Sequence, residues 1–338
     1  MRVGKNPQLN KPLQSSDYFH QVIMPVYIPG NEGYFKDSFN VLKISIDSLL
    51  KTSHSKTFIS IVNNGSSAEV ENYLDDLYQN GKIQELIHTT NIGKGNAINK
   101  AYVGQPFPLV TFTDADVLFL NNWQKAVYDI YESFPKAGAV CTTPNSRTLK
   151  QLTANIFFDN FFSKSLRFSV VKNSQAMVDF VESVGNPWEL RPIHLEKCLT
   201  VNHNNVSAIV GAGHYVCTYR RDALPQQGFR NATKLMGKQL MSNIDISIVK
   251  NGYWRLSTVD NLTYHMGNVT EKWMQDKLND LIQENNEIVQ PKLKDFKTAS
   301  LLNSFKINIF GTLLFSRHFF WKKFLRFKGL KKEEAKYY

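Results

Sequence analysis

Hydrophobic and polar positions in the first 150 residues follow two alternating patterns. Short apolar runs that end in Gly, Pro, Asn or Ser are typical of strands, and the runs between them repeat their apolar residues at helical spacing. The predicted strands are HQVIMPVYIP (20–29), TFISIVNNGSS (57–67), KIQELIHTT (82–90), LVTFTDADV (109–117) and AGAVCTT (137–143). The predicted helices cover DSFNVLKISIDSLLKT (37–52), residues 66–81, NIGKGNAINKAYVG (91–104) and NNWQKAVYDIYESF (121–134).

Local signals mark the ends of the first two helices. Asp37 stands directly before the first helical run and is the expected N-cap. Ser66 and Glu69 have the spacing of a capping box at the start of the second, and Gly81 is expected to close it.

Strands that alternate with helices indicate an α/β fold with a mainly parallel sheet. Right-handed crossovers place the carboxyl ends of such strands along one edge. The polar segments 63–67, 91–96 and 114–116 each lie at or just after a predicted strand end. Because ligands of open α/β sheets bind at that edge, we expect a site there.

The pattern is less regular beyond residue 150. The aromatic-rich segment 155–171 is expected to cover the sheet or line the site, and the segment 186–205 resembles a loop region. A strand is predicted around 205–224, a helix over 238–253 and a final strand edge over 261–268.

Two aspartates interrupt the fourth apolar run. Alternate residues of a strand point the same way, so the carboxylates of Asp114 and Asp116 are placed to face one cation. Hard divalent cations prefer carboxylate oxygens, and His265 could add a nitrogen ligand. The alternatives are a solvated acidic strand end and a structural histidine.

Composition is that of a packed protein with a basic C-terminal part. Hydrophobic residues make up 42% of the 338 residues, enough for a sizeable core. The net charge is +11, and residues 301–338 carry nine Lys and Arg against two Glu, hence +7. The three cysteines form no CxxC pair, which favours a reducing compartment.

The basic segment 310–332 also has an aromatic face. Phe310, Leu313, Leu314, Phe320, Trp321, Phe324 and Leu325 gather on one side at helical spacing, with Lys322, Lys323 and Arg326 opposite. Such a helix is typical of attachment to an anionic membrane surface. The alternative is a terminal helix that docks on its own domain or on another subunit.

The order of the motifs resembles a known enzyme family. PVY, NNGSS, NIGKGNAINKA, TDAD, GAGHYVCTYRR, QGF, Asp245 and YHMG follow one another as in a glycosyltransferase with the GT-A fold, closest to family 2. The resemblance covers about residues 20–268. It implies a Rossmann-like nucleotide-diphospho-sugar transferase fold, followed here by a C-terminal amphipathic helical extension.

The resemblance also implies roles for residues. Those expected near the nucleotide or donor sugar are Pro25, Val26, Tyr27, Asn63, Asn91, Gly93, Lys94, Asp114, Gly211, Ala212 and Gly213. Asn63 stands where the family usually has an aspartate. Asp114, Asp116 and His265 would bind Mn²⁺ or Mg²⁺. Asp245 falls near the catalytic base, at a position that usually reads Glu-Asp and here reads NID.

These parts suit one reaction, transfer of a sugar from a nucleotide-sugar donor, with UDP-sugar favoured, to a glycan or lipid-linked acceptor. A cation stabilises the diphosphate leaving group and a separate carboxylate takes the acceptor proton, which predicts inversion. The expected setting is cell-surface polysaccharide synthesis. Two rivals remain: a haloacid-dehalogenase-type phosphohydrolase, and a non-catalytic nucleotide- or nucleic-acid-binding protein. No nucleic-acid motif is recognisable.

The expected organisation has three parts: a flexible tail (1–19), a glycosyltransferase domain (20–268, divided into 20–118 for the nucleotide and 119–268 for the acceptor and catalysis) and a membrane-associating extension (269–338). The N-terminus has no apolar core, so we expect a cytoplasmic protein at the inner face of the cell membrane. The sequence leaves the donor sugar, acceptor, linkage and oligomeric state open.

Overall fold

The computed structural model describes residues 4–6, 11, 16–185, 190–229, 238–284, 288–296 and 300–338, apart from the side chains of 238–243 and 300. The predicted tail, residues 1–19, lies mostly outside the described residues. The strands are β1 (His20–Val26), β2 (Thr57–Asn63), β3 (Glu85–His88), β4 (Leu109–Thr113), β5 (Val117–Phe119), β6 (Ala137–Cys141), β7 (Leu166–Val170), β8 (Lys197–His203), β9 (Val206–Val210), β10 (Val216–Arg220), β11 (Trp254–Ser257) and β12 (Thr263–His265).

Helices connect and cover these strands. They are α1 (Ser38–Thr52), α2 (Ala68–Gln79), α3 (Lys94–Val103), α4 (Trp123–Ser133), α5 (Ala154–Asp159), α6 (Ser174–Ser183), α7 (Pro192–Glu196), α8 (Lys238–Lys250), α9 (Lys272–Asp280), α10 (Ser300–Ser304), α11 (Gly311–Ser316), α12 (His318–Phe327) and α13 (Glu334–Tyr337). All the strands and helices predicted for residues 20–143 are present, with ends that differ by a few residues.

Ten strands form one sheet in the order β3-β2-β1-β4-β10-β6-β11-β9-β8-β7. The first four are parallel, as the strand–helix alternation predicts. Only β10, β9 and β7 run against the other seven strands, so the sheet is mainly parallel in strand direction. This architecture is the α/β, GT-A arrangement expected from the sequence.

A second, small sheet pairs β5 with β12 in antiparallel register. Val117 lies opposite His265, and the Met266 N–H donates to the Asp116 carbonyl at 2.8 Å. This pairing joins two segments about 150 residues apart in the chain and carries His265 to the end of β4.

Some local predictions are wrong. The segment 186–205, predicted as a loop, contains α7 and β8 in its described part. Strand β8 pairs on both sides, with β7 and β9, so long-range pairing defines it and a local pattern does not. Ser66 makes no capping box, because α2 begins at Ala68 and the Ser66 hydroxyl accepts the Ile28 N–H at 3.0 Å.

Asp37 shows a milder difference. It occupies the N-cap position of α1, but it makes no side-chain cap hydrogen bond. Its carboxylate instead accepts the Thr270 N–H at 3.2 Å. The residue therefore links the start of α1 to the segment that follows β12.

The C-terminal helices pack against the main core. Leu314, Trp321, Phe324 and Leu325 are at most 5% exposed and join Phe157 of α5 in one hydrophobic cluster with the sheet. Buried aromatic side chains of this size each contribute on the order of 2 kcal/mol. The segment is therefore partly a structural element of the protein core. The boundaries proposed between the three parts of the chain stay a prediction.

Candidate active site

The two aspartates of the DAD motif are held at the carboxyl end of β4 by backbone hydrogen bonds. The Asp114 N–H donates to the Tyr215 carbonyl at 2.8 Å, and the Asp116 carbonyl accepts from Met266. Both bonds fix the main chain and leave the carboxylates directed to neighbouring side chains. The fold therefore places the two aspartates at the end of the strand, as predicted.

Asp114, Asp116 and His265 lie together. One potential ligand atom from each falls within 4.8 Å of the others, and His265 Nε2 is 3.4 Å from Asp116 Oδ2. The three residues come from the end of β4 and the end of β12, which the small sheet joins. The sequence-based grouping of these ligands is thus reproduced by the geometry.

The hydrogen bonds of His265 favour a metal-binding tautomer. Its Nδ1 lies 3.1 Å from Ser183 Oγ, and the Ser183 hydroxyl donates to the Phe180 carbonyl at 2.8 Å. Because a hydroxyl has a single proton, Ser183 must accept from Nδ1–H. Nε2 is then the nitrogen that faces Asp116 and that a cation would meet, as in metal sites where a second residue orients the histidine.

Charge around the pair is incompletely balanced. Asp114 forms an ion pair with Lys94, the first residue of α3. Asp116 Oδ1 is buried and has no hydrogen-bond partner among the described residues. Desolvation raises the pKa of the Asp116 carboxyl; His265 opposes the rise and Asp114 adds to it. Two carboxylate oxygens and an imidazole nitrogen are a donor set that fits Mn²⁺ or Mg²⁺.

A cavity of about 660 Å³ opens beside these ligands. Its lining residues are Pro25, Val26, Tyr27, Ile28, Tyr34, Phe35, Ser38, Val41, Asn64, Asn91, Lys94, Asp114, Ala115, Asp116, Gly267 and Asn268. Most of the predicted nucleotide-binding residues are among them. The volume suits a nucleotide-sized ligand.

Five of the predicted donor positions lie outside this lining: Asn63, Gly93 and the three small residues 211–213. The Asn63 side-chain oxygen accepts the Ser66 N–H at 2.9 Å, and its amide nitrogen lies 3.0 Å from His88. Asn63 therefore holds the turn after β2, and the neighbouring Asn64 lines the cavity instead. Gly93 has a φ of +88° and precedes α3, where it shapes the turn that presents Lys94.

The small residues 211–213 have a packing role in this structure. Gly211 has a φ of +108°, and a Cβ there would lie 2.3 Å from Thr148 Oγ1. The Gly211 and Ala212 carbonyls accept bonds from Ser257 at 2.6 Å and Arg255 at 2.8 Å. These residues therefore set the path of the loop between β9 and β10. Whether they also contact the donor sugar stays a prediction.

Asp245 is in a second charged group. It is 2% exposed and lies between Arg255, whose Nε is 3.1 Å from Oδ1, and His214, whose Nδ1 is 2.9 Å from Oδ2. The Arg255 side chain is 1% exposed, whereas that of His214 is 38% exposed. His214 is therefore the member of the group that meets solvent.

One loop connects the two groups. His214 contacts Asp245, and the next residue, Tyr215, accepts the Asp114 N–H and packs its ring 5.3 Å from the ring of His265. Asp245 and the candidate cation site thus flank the same short segment. Tertiary contacts thus bring Asp245 next to the segment that contacts Asp114 and His265, and its catalytic role stays a prediction.

Sequence reasoning missed several residues of the site. Tyr34 and Phe35 line the cavity from the segment before α1, and Ser183 orients His265. His214 and Arg255 hold Asp245. His214 was visible in the motif GAGHY, but Arg255 and Ser183 carry no local signal, because only tertiary contacts give them their place.

The comparisons with known proteins fit this geometry. Residues 22–171 match the model of glycosyl transferase family 2. The matched part is 150 of the 338 residues, less than half of the chain. The match includes the DAD motif and ends before His214, Asp245 and His265. None of the curated proteins matches the chain.

Solved structures of glycosyltransferases are similar to this chain at low sequence identity. A mannosyltransferase from Pyrobaculum calidifontis in complex with GDP-Man and Mn²⁺ is 17% identical, with 79% of this chain and 63% of that chain covered and a TM-score of 0.44. This chain thus spans less than two thirds of that protein.

S. aureus TarS is similar at a comparable level. Its complex with UDP is 14% identical, with 88% and 72% covered and a TM-score of 0.43, and its complex with UDP-GlcNAc is 15% identical, with 93% and 77% covered and a TM-score of 0.42. At this distance the likeness indicates no donor sugar or acceptor for this chain.

Proposed function

We propose that this glycosyltransferase moves a sugar from a nucleotide-sugar donor, with UDP-sugar favoured over GDP-sugar, to a glycan or lipid-linked acceptor. The observation that carries the proposal is the position of Asp114, Asp116 and His265 on and beside the wall of a cavity of about 660 Å³. Cation ligands beside a nucleotide-sized cavity are what activation of a diphosphate leaving group requires.

Asp114, Asp116 and His265 would hold Mn²⁺ or Mg²⁺. When bound, the cation neutralises the charge that develops on the diphosphate as the glycosidic bond breaks. Lys94 lies at the first turn of α3 and contacts Asp114, so its ammonium is also placed to meet a phosphate. These groups stabilise the leaving group and leave the acceptor side to other residues.

On the acceptor side we assign the proton-accepting role to Asp245 acting with His214. The Asp245 carboxylate is sealed from solvent and already paired with Arg255, so an acceptor hydroxyl meets the half-exposed His214 first. His214 Nδ1 lies 2.9 Å from Asp245 Oδ2, so a proton carried on Nδ1 would leave Nε2 to take the proton of the acceptor. As this proton leaves, the acceptor oxygen attacks the sugar from the side opposite the diphosphate. Attack from that side gives inversion.

The base-binding end of the cavity is aromatic. Tyr27 packs edge-on against Phe35 at 5.8 Å, and Phe35 packs likewise against Tyr34 at 5.2 Å. Tyr34 is 71% exposed and can move onto a bound ring. A planar base would stack there while backbone groups of residues 25–27 contact its edge. This arrangement supports nucleotide binding; the UDP preference and a role in cell-surface polysaccharide synthesis come from the family resemblance.

A thermal-shift screen of nucleotide sugars with and without Mn²⁺ tests the donor. A ligand at about 100 times its Kd stabilises the folded state by about 2.7 kcal/mol. We expect a UDP-sugar to raise the Tm only when Mn²⁺ is present, and by more than any GDP-sugar. A larger shift with a GDP-sugar would change the donor, and no shift with any nucleotide sugar would overturn the proposal.

An activity assay separates the enzyme classes. A glycosyltransferase releases UDP or GDP from the donor, whereas a phosphohydrolase of the haloacid dehalogenase type releases inorganic phosphate from sugar phosphates. We expect nucleoside diphosphate release that needs Mn²⁺ or Mg²⁺. Phosphate release from sugar phosphates would favour the rival, and nucleotide binding without turnover of any donor would favour a non-catalytic protein.

A further inference from the structure

Two helices of the C-terminal segment, α11 and α12, each have one buried and one exposed face. Helices α11 and α12 are separated at Arg317, whose backbone is extended (φ −99°, ψ 96°). Trp321, Phe324 and Leu325 point into the core and are at most 3% exposed. The opposite face of α12 therefore points outward, and the apolar residues on it have no part in that core.

That outward face is unusually apolar. Leu313, Phe319, Phe320 and Phe327 are each 54–63% exposed, and Ile309 before α11 is 53% exposed. Single exposed apolar residues are common, but a contiguous group marks an interaction surface. Folding of this chain alone does not account for keeping these rings in water.

A second segment extends the same surface. Phe162, in the turn after α5, is 86% exposed, and its neighbour Phe161 stacks on Phe327 with ring centroids 5.9 Å apart. Lys328 Nζ donates to the Asn160 carbonyl at 2.9 Å and the Ser163 carbonyl at 3.0 Å. The turn is thus fixed to the end of α12 by a buried amine.

Together these residues form what we call the phenylalanine surface, defined by Phe161, Phe162, Leu313, Phe319, Phe320 and Phe327. A groove of about 510 Å³ lies within it, and eight of the nine residues that line the groove are apolar. The ninth is Lys323, whose Nζ also lies 4.3 Å from the centre of the Phe319 ring. In such a position the methylene groups of a lysine cover apolar surface while its ammonium group reaches a polar environment.

The charge at this surface has one sign. Arg317, Lys322, Lys323 and Arg326 lie on or beside α12, and among the described residues no carboxylate is within ion-pair distance of them. A second copy of the chain would bring an identical positive surface against this one and would be repelled. A partner with negative charge above an apolar interior is complementary.

We infer that the phenylalanine surface docks on an anionic lipid bilayer, with the rings entering the boundary between headgroups and acyl chains and the cations at the headgroups. No helix within the described ranges is long and apolar enough to cross a membrane, so the contact is with the surface. The inference goes beyond the proposed function and does not depend on it, because lipid binding is measured without donor or acceptor.

Co-sedimentation of the full chain with vesicles tests the inference. We expect binding to phosphatidylcholine vesicles that contain phosphatidylserine, weaker binding to phosphatidylcholine alone, and loss of binding at high salt. Phe162→Ser and Phe320→Ser should each weaken binding about tenfold. Lys323→Gln and Arg326→Gln should each weaken it about fivefold, and only on the anionic vesicles.

Val170→Ser is the matched control, since Val170 is 81% exposed on β7 and lies outside the phenylalanine surface. It should bind vesicles as the unchanged protein does. All the variants should keep the far-UV circular dichroism spectrum and the nucleotide-sugar binding of the unchanged protein. Absence of binding to the anionic vesicles at low salt would overturn the inference. So would an equal loss in Val170→Ser, or a dimer by size-exclusion chromatography that Phe162→Ser converts to monomer.

Discussion

Two groups of carboxylates flank the loop 211–215, and they differ in how their charge is balanced. Asp245 is buried between a guanidinium and an imidazole, with Arg255 almost fully enclosed. Asp114 and Asp116 share one lysine and one histidine, and a buried Asp116 oxygen has no partner among the described residues. In the first group a nitrogen of Arg255 or His214 lies within 3.1 Å of each carboxylate oxygen, although Asp245 Oδ1 makes no hydrogen bond. In the second, Asp116 Oδ1 has neither a hydrogen bond nor an ion pair among the described residues, so this set of acceptors gains from one more positive charge.

The difference shows that a buried carboxylate does not by itself indicate catalysis or metal binding. Burial costs free energy unless a countercharge compensates it. Where the protein supplies that charge permanently, as Arg255 does, the carboxylate contributes to folding. Where it does not, the carboxylate is held for a ligand. Substitutions at the two groups should therefore act in opposite directions on stability.

Asp116→Asn should have the largest effect on activity. Losing a cation ligand removes several kcal/mol of leaving-group stabilisation, so transfer should fall about 10³-fold or more. The free energy of unfolding without metal should rise by about 1 kcal/mol, because one uncompensated carboxylate is gone. Steady-state kinetics and urea denaturation measure the two. Asp75→Asn, at an exposed aspartate beside His88, is the control and should change neither. Unchanged Mn²⁺-dependent donor affinity in Asp116→Asn would remove the metal assignment.

Asp245→Asn should act oppositely on stability. It leaves the Arg255 guanidinium buried without its countercharge, and the free energy of unfolding should fall by about 3 kcal/mol. Urea denaturation without metal measures this against Asp116→Asn. If the two asparagine variants shift stability in the same direction, the contrast between the groups is wrong.

His214→Gln separates the chemistry of the second group from its structural role. His214 is 38% exposed, so the substitution should leave stability and donor binding nearly unchanged. Transfer should fall about 10²-fold or more if His214 takes the acceptor proton. The acid limb of the pH profile for kcat should disappear as well. A variant with normal kcat would return the role of base to Asp245 alone.

The pH dependence of metal stabilisation should give the smallest signal. Desolvation raises the pKa of Asp116 in the folded protein. The stability that this group contributes is therefore present below its unfolded pKa and is lost as pH rises through the folded value. Mn²⁺ binds the ionised form and offsets that loss. The rise in Tm with Mn²⁺ should thus grow as the pH rises above about 4, the ordinary pKa of an aspartate. A rise that is independent of pH would contradict the pairing of Asp116 with the cation.

Much of the structure of residues 20–118 followed from local sequence. Alternating runs and turn residues predict β1 to β4, their helices and their parallel order, because hydrophobic period and turn chemistry are properties of short segments. The DAD motif and the apolar strand before it place two carboxylates at the active edge on the same grounds. The order of motifs then pointed to the family whose model matches residues 22–171.

Only the tertiary structure decided which side chains complete the site. Strand β8 is defined by its partners β7 and β9, and His265 reaches Asp116 through a pairing of distant segments. Neighbours far along the chain decide three further features: the hydrogen bonds of the Asn63 oxygen, the burial of Asp245, and the rings of α12 that face outward. The sequence by itself determined the fold class and the candidate chemistry, since local propensity and pattern specify both. Long-range packing, which no local pattern records, decided the partners of each charged group and the outward face of the C-terminal helices.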